Sequence, residues 1–312
     1  MIAASLWAYV FLSTACVSAY DVDHKRSAVT DAEASVCGTH IDLESSSASE
    51  AYARRGNAKQ VIRSRQADNS SVLLPVDVYM QVLSTDGTEL GGDISDATID
   101  AQMQILDDAF RPVGFKFNLV DTVRTINEEW YYNLKIATTY EDEVSLALRK
   151  GGNATLNIYT MGGLNTTTLA WATVASQLQY RAAYDGVFLN GTGFLGGSDP
   201  TFTKGITLVH EVGHWFGLYH NFASGCRQSY DYVDDTPIED QPNGFGGCPI
   251  GRDSCPDQPG LDLIHNYMSY FDDDCRNSWT PGQIQRMREQ MAKFRDIVYP
   301  GIDVNDIPED SL

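Results

Sequence analysis

Val209-His210-Glu211-Val212-Gly213-His214-Trp215-Phe216-Gly217-Leu218-Tyr219-His220 is the stretch on which the reading of this chain turns. His210 and His214 stand four residues apart, so on a helix both imidazoles leave one face and can share one metal ion. Glu211, next to the first of them, can face the water at that metal. Gly217 can end the helix with a positive φ and turn the chain sharply, which lets His220 return as a third ligand. Three nitrogen ligands leave the fourth position of a tetrahedral Zn²⁺ open, as in a catalytic rather than a structural site. Two histidines four apart are often only a surface pair, and a bare HExxH recurs by chance. The eleven-residue form HExxHxxGxxH fixes five positions and arises by chance on the order of once in 10⁵ chains of this length. Three of the six histidines of the chain lie inside it, so one zinc ion is the expected cofactor.

Further on comes Asn266-Tyr267-Met268-Ser269-Tyr270. Alone, Met268 would be core filler and Tyr270 an ordinary half-buried aromatic. Beneath a zinc motif of this form, a Met followed by a Tyr reads as a Met-turn.

The flanking pattern mixes strands and helices. Val76 to Val82 alternates as a strand does. Ser95 can cap a helix whose apolar stripe is Ile99, Met103, Leu106 and Phe110. Phe115, Phe117 and Leu119 alternate again, and Thr155–Tyr159 and Val187–Leu189 read as short strands between turn residues. A helix is expected from about Thr203 to Phe216. Residues 221 to 262 are rich in Gly, Pro, Asp and Cys, and a loop that long needs covalent staples. Thr280-Pro281-Gly282-Gln283 is a capping box opening a last helix to about Ile297. The expected class is α+β, with the sheet mostly before the 203–216 helix.

Composition limits the partners. Among 312 residues, Lys plus Arg is 22 and Asp plus Glu is 42, a formal charge of −20. Such a chain repels a phosphate backbone and anionic lipid alike, so neither nucleic acid nor membrane is an expected partner. Acidity alone fixes no function.

Ile2 to Val17 is an apolar run too short for a comfortable bilayer span, followed at once by Tyr20-Asp21-Val22-Asp23. Val17 and Ala19 suit cleavage after Ala19, so residues 1–19 read as a signal peptide and the protein as secreted. Residues 20–70, with a Ser-rich run and Arg54-Arg55 and Arg63-Ser64-Arg65, read as a pro-segment. The acidic residues 299–312 read as a tail. Cys226, Cys248, Cys255 and Cys275 form an even cluster, which reads as two disulfides with three pairings open. Cys37 stands alone upstream. Asn69, Asn153, Asn165 and Asn190 head candidate N-glycosylation sequons.

The zinc motif and Met-turn together resemble those of metzincin metalloproteases. Within that clan the chain is similar to the pappalysin family, above all to its small secreted fungal extracellular metalloproteases and to ulilysin. The closer likeness lies in four features: His220 followed by Asn221-Phe222; the Cys-rich insert with Asp234-Asp235-Thr236-Pro237; Asn266-Tyr267-Met268-Ser269-Tyr270; and Cys275 with Trp279-Thr280-Pro281-Gly282-Gln283. Astacins would have Glu directly after the third His, where this chain has Asn221. The likeness spans roughly residues 72 to 298, and a catalytic domain over 71–298 is expected.

The resemblance implies a domain in two parts. An upper subdomain carries a twisted sheet with the active-site helix as its floor, and an irregular lower one carries the disulfides, Met268 and the last helix. It implies the pairings Cys226–Cys255 and Cys248–Cys275. It implies a monomer acting on protein or peptide substrates, an expectation that charge does not supply. It implies endopeptide hydrolysis with His210, His214 and His220 as zinc ligands, Glu211 as general base and Tyr270 as oxyanion donor. Substrate would lie antiparallel to an edge strand within Leu169–Thr173. Relatives place a calcium ion in the insert, for which Asp231, Val233, Asp234 and Thr236 are the candidate ligands. A thiolate from Cys37 could fill the open zinc position, as in matrixin cysteine switches. In metzincins the chain past the Met-turn lines the pocket for the residue after the scissile bond. Asp272, Asp273 and Asp274 follow the Met-turn, and at least one of them, Asp274 with its geometry fixed by Cys275 above all, is the candidate there to favour Arg or Lys. The alternative is a silent binding module on a protease scaffold, but such a scaffold would usually lack the base or a ligand, and here all four are present.

Overall fold

The computed structural model describes residues 37–39, 72–162, 168–223, 225–227, 231–242 and 247–307. Segment 1–19, all of 20–70 except Cys37-Gly38-Thr39, both Asn69 and Asn165, and the last five residues of the tail lie outside the described residues.

Strand β1 (Leu74–Ser84) contains the alternating Val76, Val78, Met80 and Val82, all buried in one core. Helix α1 (Asp96–Phe110) opens at Ser95, whose side chain accepts from the Thr98 amide, and it delivers Ile99, Met103, Leu106 and Phe110 to that core. Strand β2 (Phe115–Ile126) then pairs parallel with β1. Two short helices, α2 (Glu128–Asn133) and α3 (Thr139–Leu148), follow, capped by Asn127 and Thr138. Hydrophobic patterning does not announce them, because neither buries a continuous apolar stripe.

Strands β3 (Thr155–Met161), β4 (Ala170–Ala172) and β5 (Val187–Asn190) complete the sheet, with helix α4 (Leu178–Arg181) between the last two. The order is β2-β1-β3-β5-β4, parallel except for β4, which pairs antiparallel with β5 and forms an edge. Helix α5 (Ile206–Trp215) carries the first two histidines, and helix α6 (Pro281–Phe294) is the last. The start of α5 falls three residues later than the sequence suggests, because its N-cap Gly205 takes a left-handed conformation at φ +79°; the Lys204 amide before it donates to Asp273 Oδ2 at 2.8 Å. At α6 the capping box of Thr280 and Gln283 forms with Pro281 at the first position.

One face of the sheet shares its core with α1, α5 and α6, through Leu208, Val209, Val212, Trp215, Met287 and Met291. Burying each such side chain contributes about 1.5–3 kcal/mol. The other face carries an aromatic ladder across three strands: Tyr159 stacks on Phe188 at 4.6 Å, and Phe188 on Trp171 at 4.9 Å. Leu134 and Val144 cover it, and Trp171 Nε1 donates to the buried Glu141 carboxylate at 3.0 Å. Between α5 and α6 the described chain has no strand longer than a single bridge. It is stapled by Cys226–Cys255 and Cys248–Cys275. The fold is thus mixed α and β, with the sheet and α5 preceding an irregular disulfide-held region.

A buried ion pair joins the ends of the two long helices of the site. The Arg295 guanidinium meets Asp185 through two bonds of 2.9 Å and donates from Nε to the Trp215 carbonyl at 3.0 Å. Trp215 Nε1 donates to the same carboxylate at 3.2 Å.

Candidate active site

Helix spacing puts His210 and His214 on one face of α5, and both are buried. Gly217 sits at φ +97°, the left-handed turn the sequence suggests, and a Cβ there would lie 2.5 Å from Gln290 Cγ. The turn returns His220. The three Nε2 atoms lie 3.2 Å (His210–His214), 3.1 Å (His210–His220) and 3.0 Å (His214–His220) apart. Nitrogens held at about 2.05 Å around a tetrahedral ion would be separated by roughly 3.3 Å. Two of the rings are oriented from behind: His210 Nδ1 donates to the Tyr267 carbonyl at 2.7 Å and His214 Nδ1 to the Leu218 carbonyl at 2.8 Å. That fixes the tautomer and turns the lone pairs of both Nε2 atoms to the common point. Burial and the neighbouring imidazoles push His210 well below its ordinary value, and burial pushes His214 down to about 4. Neutral, inward-facing imidazoles suit a cation, and the donor set fits a divalent metal.

Glu211 is fully buried. Burial pushes its carboxyl up to about 8, against hydrogen bonds from Cys37 and Thr39. Below α5, Met268 is also fully buried, and a Cβ at Gly213 would lie 2.6 Å from its sulfur. The glycine inside the helix is therefore needed for close approach of the Met-turn. Tyr270 is buried, with its hydroxyl 3.2 Å from His220 Nε2.

Cys37-Gly38-Thr39 lies at the same place. Cys37 Sγ is 3.5 Å from His214 Nε2, and the sulfur and the three nitrogens lie within 4.8 Å of one another. Burial and the Glu211 charge push the Cys37 thiol well above its ordinary value, so a thiolate here needs a cation among the imidazoles. Gly38 N donates to the Ala170 carbonyl at 2.8 Å, and the pairing of Cys37 with Ala170 runs parallel to β4. Thr39 Oγ1 accepts from Ala172 N at 2.9 Å and donates to Glu211 Oε2 at 3.2 Å. Tyr270 Oη donates to the Cys37 carbonyl at 3.4 Å. Sequence reading misses Thr39, because nothing local ties it to a helix more than a hundred residues away.

Asp274 is a correction. It is exposed and ion-paired with Lys204, not at the bottom of a desolvated pocket. Its neighbours differ from it. Asp273 is buried and paired with Arg276 at 2.7 Å. Asp272 accepts from Gly247 N at 2.7 Å through Oδ2, while its Oδ1 is buried without a hydrogen-bond partner.

Of the candidate calcium ligands, three converge: Thr236 Oγ1 donates to Asp231 Oδ2 at 2.6 Å and lies 2.8 Å from the Val233 carbonyl. Asp234 is exposed. Among the sequons, Asn153 is exposed, whereas Asn190 is buried and accepts through Oδ1 from the Thr192 amide and hydroxyl. A glycan on Asn190 would require the end of β5 to open. A separate cavity opens at the carboxyl ends of the strands, among Ile94, Tyr131, Met161 and Leu195; it is lined by none of the histidines.

Comparison with known proteins places this geometry in a family. Residues 153–292 match the family model described as pregnancy-associated plasma protein-A, peptidase family M43. An extracellular metalloprotease of Pyricularia oryzae is 43% identical over 223 residues, covering 71% of this chain and 76% of that protein. An extracellular metalloprotease of Colletotrichum graminicola is 38% identical over 230 residues, covering 72% and 79%. The structure of mirolysin in complex with compound 9 superposes with a TM-score of 0.60 at 26% identity, over 71% of this chain and 92% of that one. The chain belongs to the pappalysin family of metalloproteases and is a metalloendopeptidase. No described helix is long and apolar enough to cross a membrane.

Proposed function

We propose that the chain is a secreted zinc endopeptidase made as a latent precursor, with His210, His214 and His220 holding the ion. The observation that carries this is the convergence of three buried Nε2 atoms within 3.2 Å beside the buried Glu211 carboxylate. Zn²⁺ bound there would polarise the scissile carbonyl and acidify water. Glu211, adjacent to the first ligand, accepts the proton of the attacking water and passes it to the leaving amine. The Tyr270 hydroxyl donates to the oxygen that gains charge. The edge of β4 supplies backbone groups to an extended substrate. Glu211→Gln should keep stoichiometric zinc and lose kcat by about 10³-fold or more, since an amide cannot accept that proton. Wild-type turnover by the folded variant would remove Glu211 from this role.

Latency is assigned to Cys37, whose sulfur faces the three nitrogens. Cys37-Gly38-Thr39 runs parallel to β4, opposite to the direction inferred for substrate. Thr39 meanwhile engages both Glu211 and the Ala172 amide. The Cys37→Ser precursor should cleave casein without processing, and a latent variant precursor refutes the switch. N-terminal sequencing of the secreted protein should begin at Tyr20 before activation and near position 70 after it. Any other pair of ends redraws the 1–19, 20–70 and 71–298 segments.

A preference for a basic residue after the cut is best placed on Asp272, whose unpartnered buried oxygen favours a cation. Cleavage-site profiling should show Arg or Lys enriched there, and less so in Asp272→Asn. Equal profiles exclude it. Calcium is assigned to the loop where the oxygens of Asp231, Val233 and Thr236 meet. Equal melting temperatures with excess calcium and with a calcium-selective chelator would exclude that ion.

A further inference from the structure

The stretch Thr280-Pro281-Gly282-Gln283 opens α6, and one turn further along that helix lies Arg286, almost fully buried. Its Nε donates to the Gly217 carbonyl at 2.9 Å. Its guanidinium also faces two aromatic rings, Tyr219 at 5.1 Å and Tyr232 at 5.3 Å from the centroids. Among the described residues no carboxylate forms an ion pair with Arg286, so its charge is met by a carbonyl dipole and by π faces. A buried cation is costly to desolvate, and this one is spent on a four-residue turn.

That turn carries much of the geometry of the site. Gly217 follows Phe216, the C-cap of α5, so its carbonyl lies beyond the helix ladder. The next residue, Leu218, gives its carbonyl to His214 Nδ1. Tyr219 comes immediately before His220. Arg286 therefore grips residues 217 and 219 on either side of the carbonyl that aims His214, and next to the third imidazole. Gln290, one turn on, closes against Gly217, where a Cβ would be 2.5 Å from its Cγ. At the C-cap of α6, Arg295 donates to the Trp215 carbonyl.

We propose that Arg286 is a positioning residue for the metal centre, fixing the 217–220 turn and through it the aim of His214 and His220. This rests on the reading of the three histidines as ligands. Arg286 touches neither substrate nor metal; it acts through the Gly217 carbonyl and the Tyr219 ring. Supporting groups behind metal ligands typically change affinity or activity 10–100-fold, so the effect should be measurable without unfolding the protein.

The test uses the full chain carrying Arg286→Met, Arg286→Lys and, as a control on the same helix, Arg288→Met. Arg288 packs over Tyr299 and donates to the Val113 carbonyl, away from the turn. Zinc release to a chromogenic chelator and the visible spectrum of the cobalt-substituted protein are the readouts, with kcat and KM after removal of the leader. Arg286→Met should release zinc at least ~10-fold faster and shift the cobalt bands, with kcat falling ~10-fold or more and KM within ~2-fold. Arg286→Lys, which keeps the charge and one donor, should lie between, and Arg288→Met should match wild type in zinc release and spectrum. Wild-type zinc release and cobalt bands in folded Arg286→Met overturn the proposal, as does an equal change in Arg288→Met. Where Arg286→Met does not fold, Arg286→Lys and Tyr219→Leu decide by the same readouts, and wild-type values in both overturn it. His220→Ala separates the two readings: if it keeps zinc with wild-type release and spectrum, the ligand assignment fails and not merely the role of Arg286.

Discussion

Through α5, the buried apolar side chains of the strands and helices fall mainly into two cores, one on each face of the sheet: Val76, Val78, Leu106, Ile158 and Val212 in the first, Tyr159, Trp171 and Phe188 in the second. From Gly217 to Thr280 the chain is fixed by particular bonds: two disulfides, the Asp273–Arg276 pair, Asn266 against Gln283, Asp235 on Thr280 and Gly282. Each region lends the site what its own physics can supply. The apolar half gives a rigid helix that presents His210, Glu211 and His214 in fixed phase. The irregular half gives free choice of backbone path, which the return of His220 to the other two imidazoles and a turn passing under Gly213 both require. The consequence is two modes of failure, one cooperative and one local.

The strongest challenge to this contrast is Leu106→Ala. Leu106 is fully buried in the sheet core, and its truncation should cost about 2–5 kcal/mol. Thermal melting should fall by many degrees as a single transition with zinc lost in the same step. Zinc lost well before the fold would mean that the two regions are not joined as described. Next comes Cys226→Ser with Cys255→Ser. The bridge closes a loop of sequence separation 29, and its loss should cost about 3 kcal/mol. Amide exchange should quicken across 221–262 while β1 and β3 keep relative protection. Equal quickening in the strands would erase the difference between the halves.

The smallest effect sharpens the lower half alone. Burial pushes Glu239 up to about 7 from an ordinary 4.5, against the bond it accepts from Leu263 N at 2.6 Å. Between those two values the folded state binds more protons than the unfolded one, so this group makes stability fall as pH rises through that window. Glu239→Gln should melt like wild type at pH 5. At pH 8 it should be more stable by on the order of 2 kcal/mol. An unchanged pH slope would remove Glu239 as its source.

What could be read in advance follows the same division. The stripe of α1, the strand of Val76 to Val82 and the zinc motif were legible because each is local: periodicity and spacing determine which face a side chain takes. Helices α2 and α3 were not, since their caps at Asn127 and Thr138 carry the signal and caps alone are common. The three consecutive carboxylates after the Met-turn show the limit most clearly. In sequence Asp272, Asp273 and Asp274 are interchangeable. In the fold each is sorted by a different partner: Gly247 for the first, the nearby Arg276 and the distant Lys204 amide for the second, the Lys204 ammonium for the third. Thr39 and Arg286 likewise acquire meaning only from residues brought to them by the chain's long-range path.

The seating of Met268 against Gly213 has a consequence for chemical ageing. The thioether has no exposure to solvent and no room toward α5 for even one added carbon. Conversion to a sulfoxide adds a polar oxygen to that sulfur, and the closed molecule offers peroxide no approach. Oxidation at Met268 therefore accumulates only during moments when the Met268 turn moves away from α5. The mass of the Met268 peptide after timed peroxide exposure becomes a clock for those openings, readable in a stored sample long after they occurred.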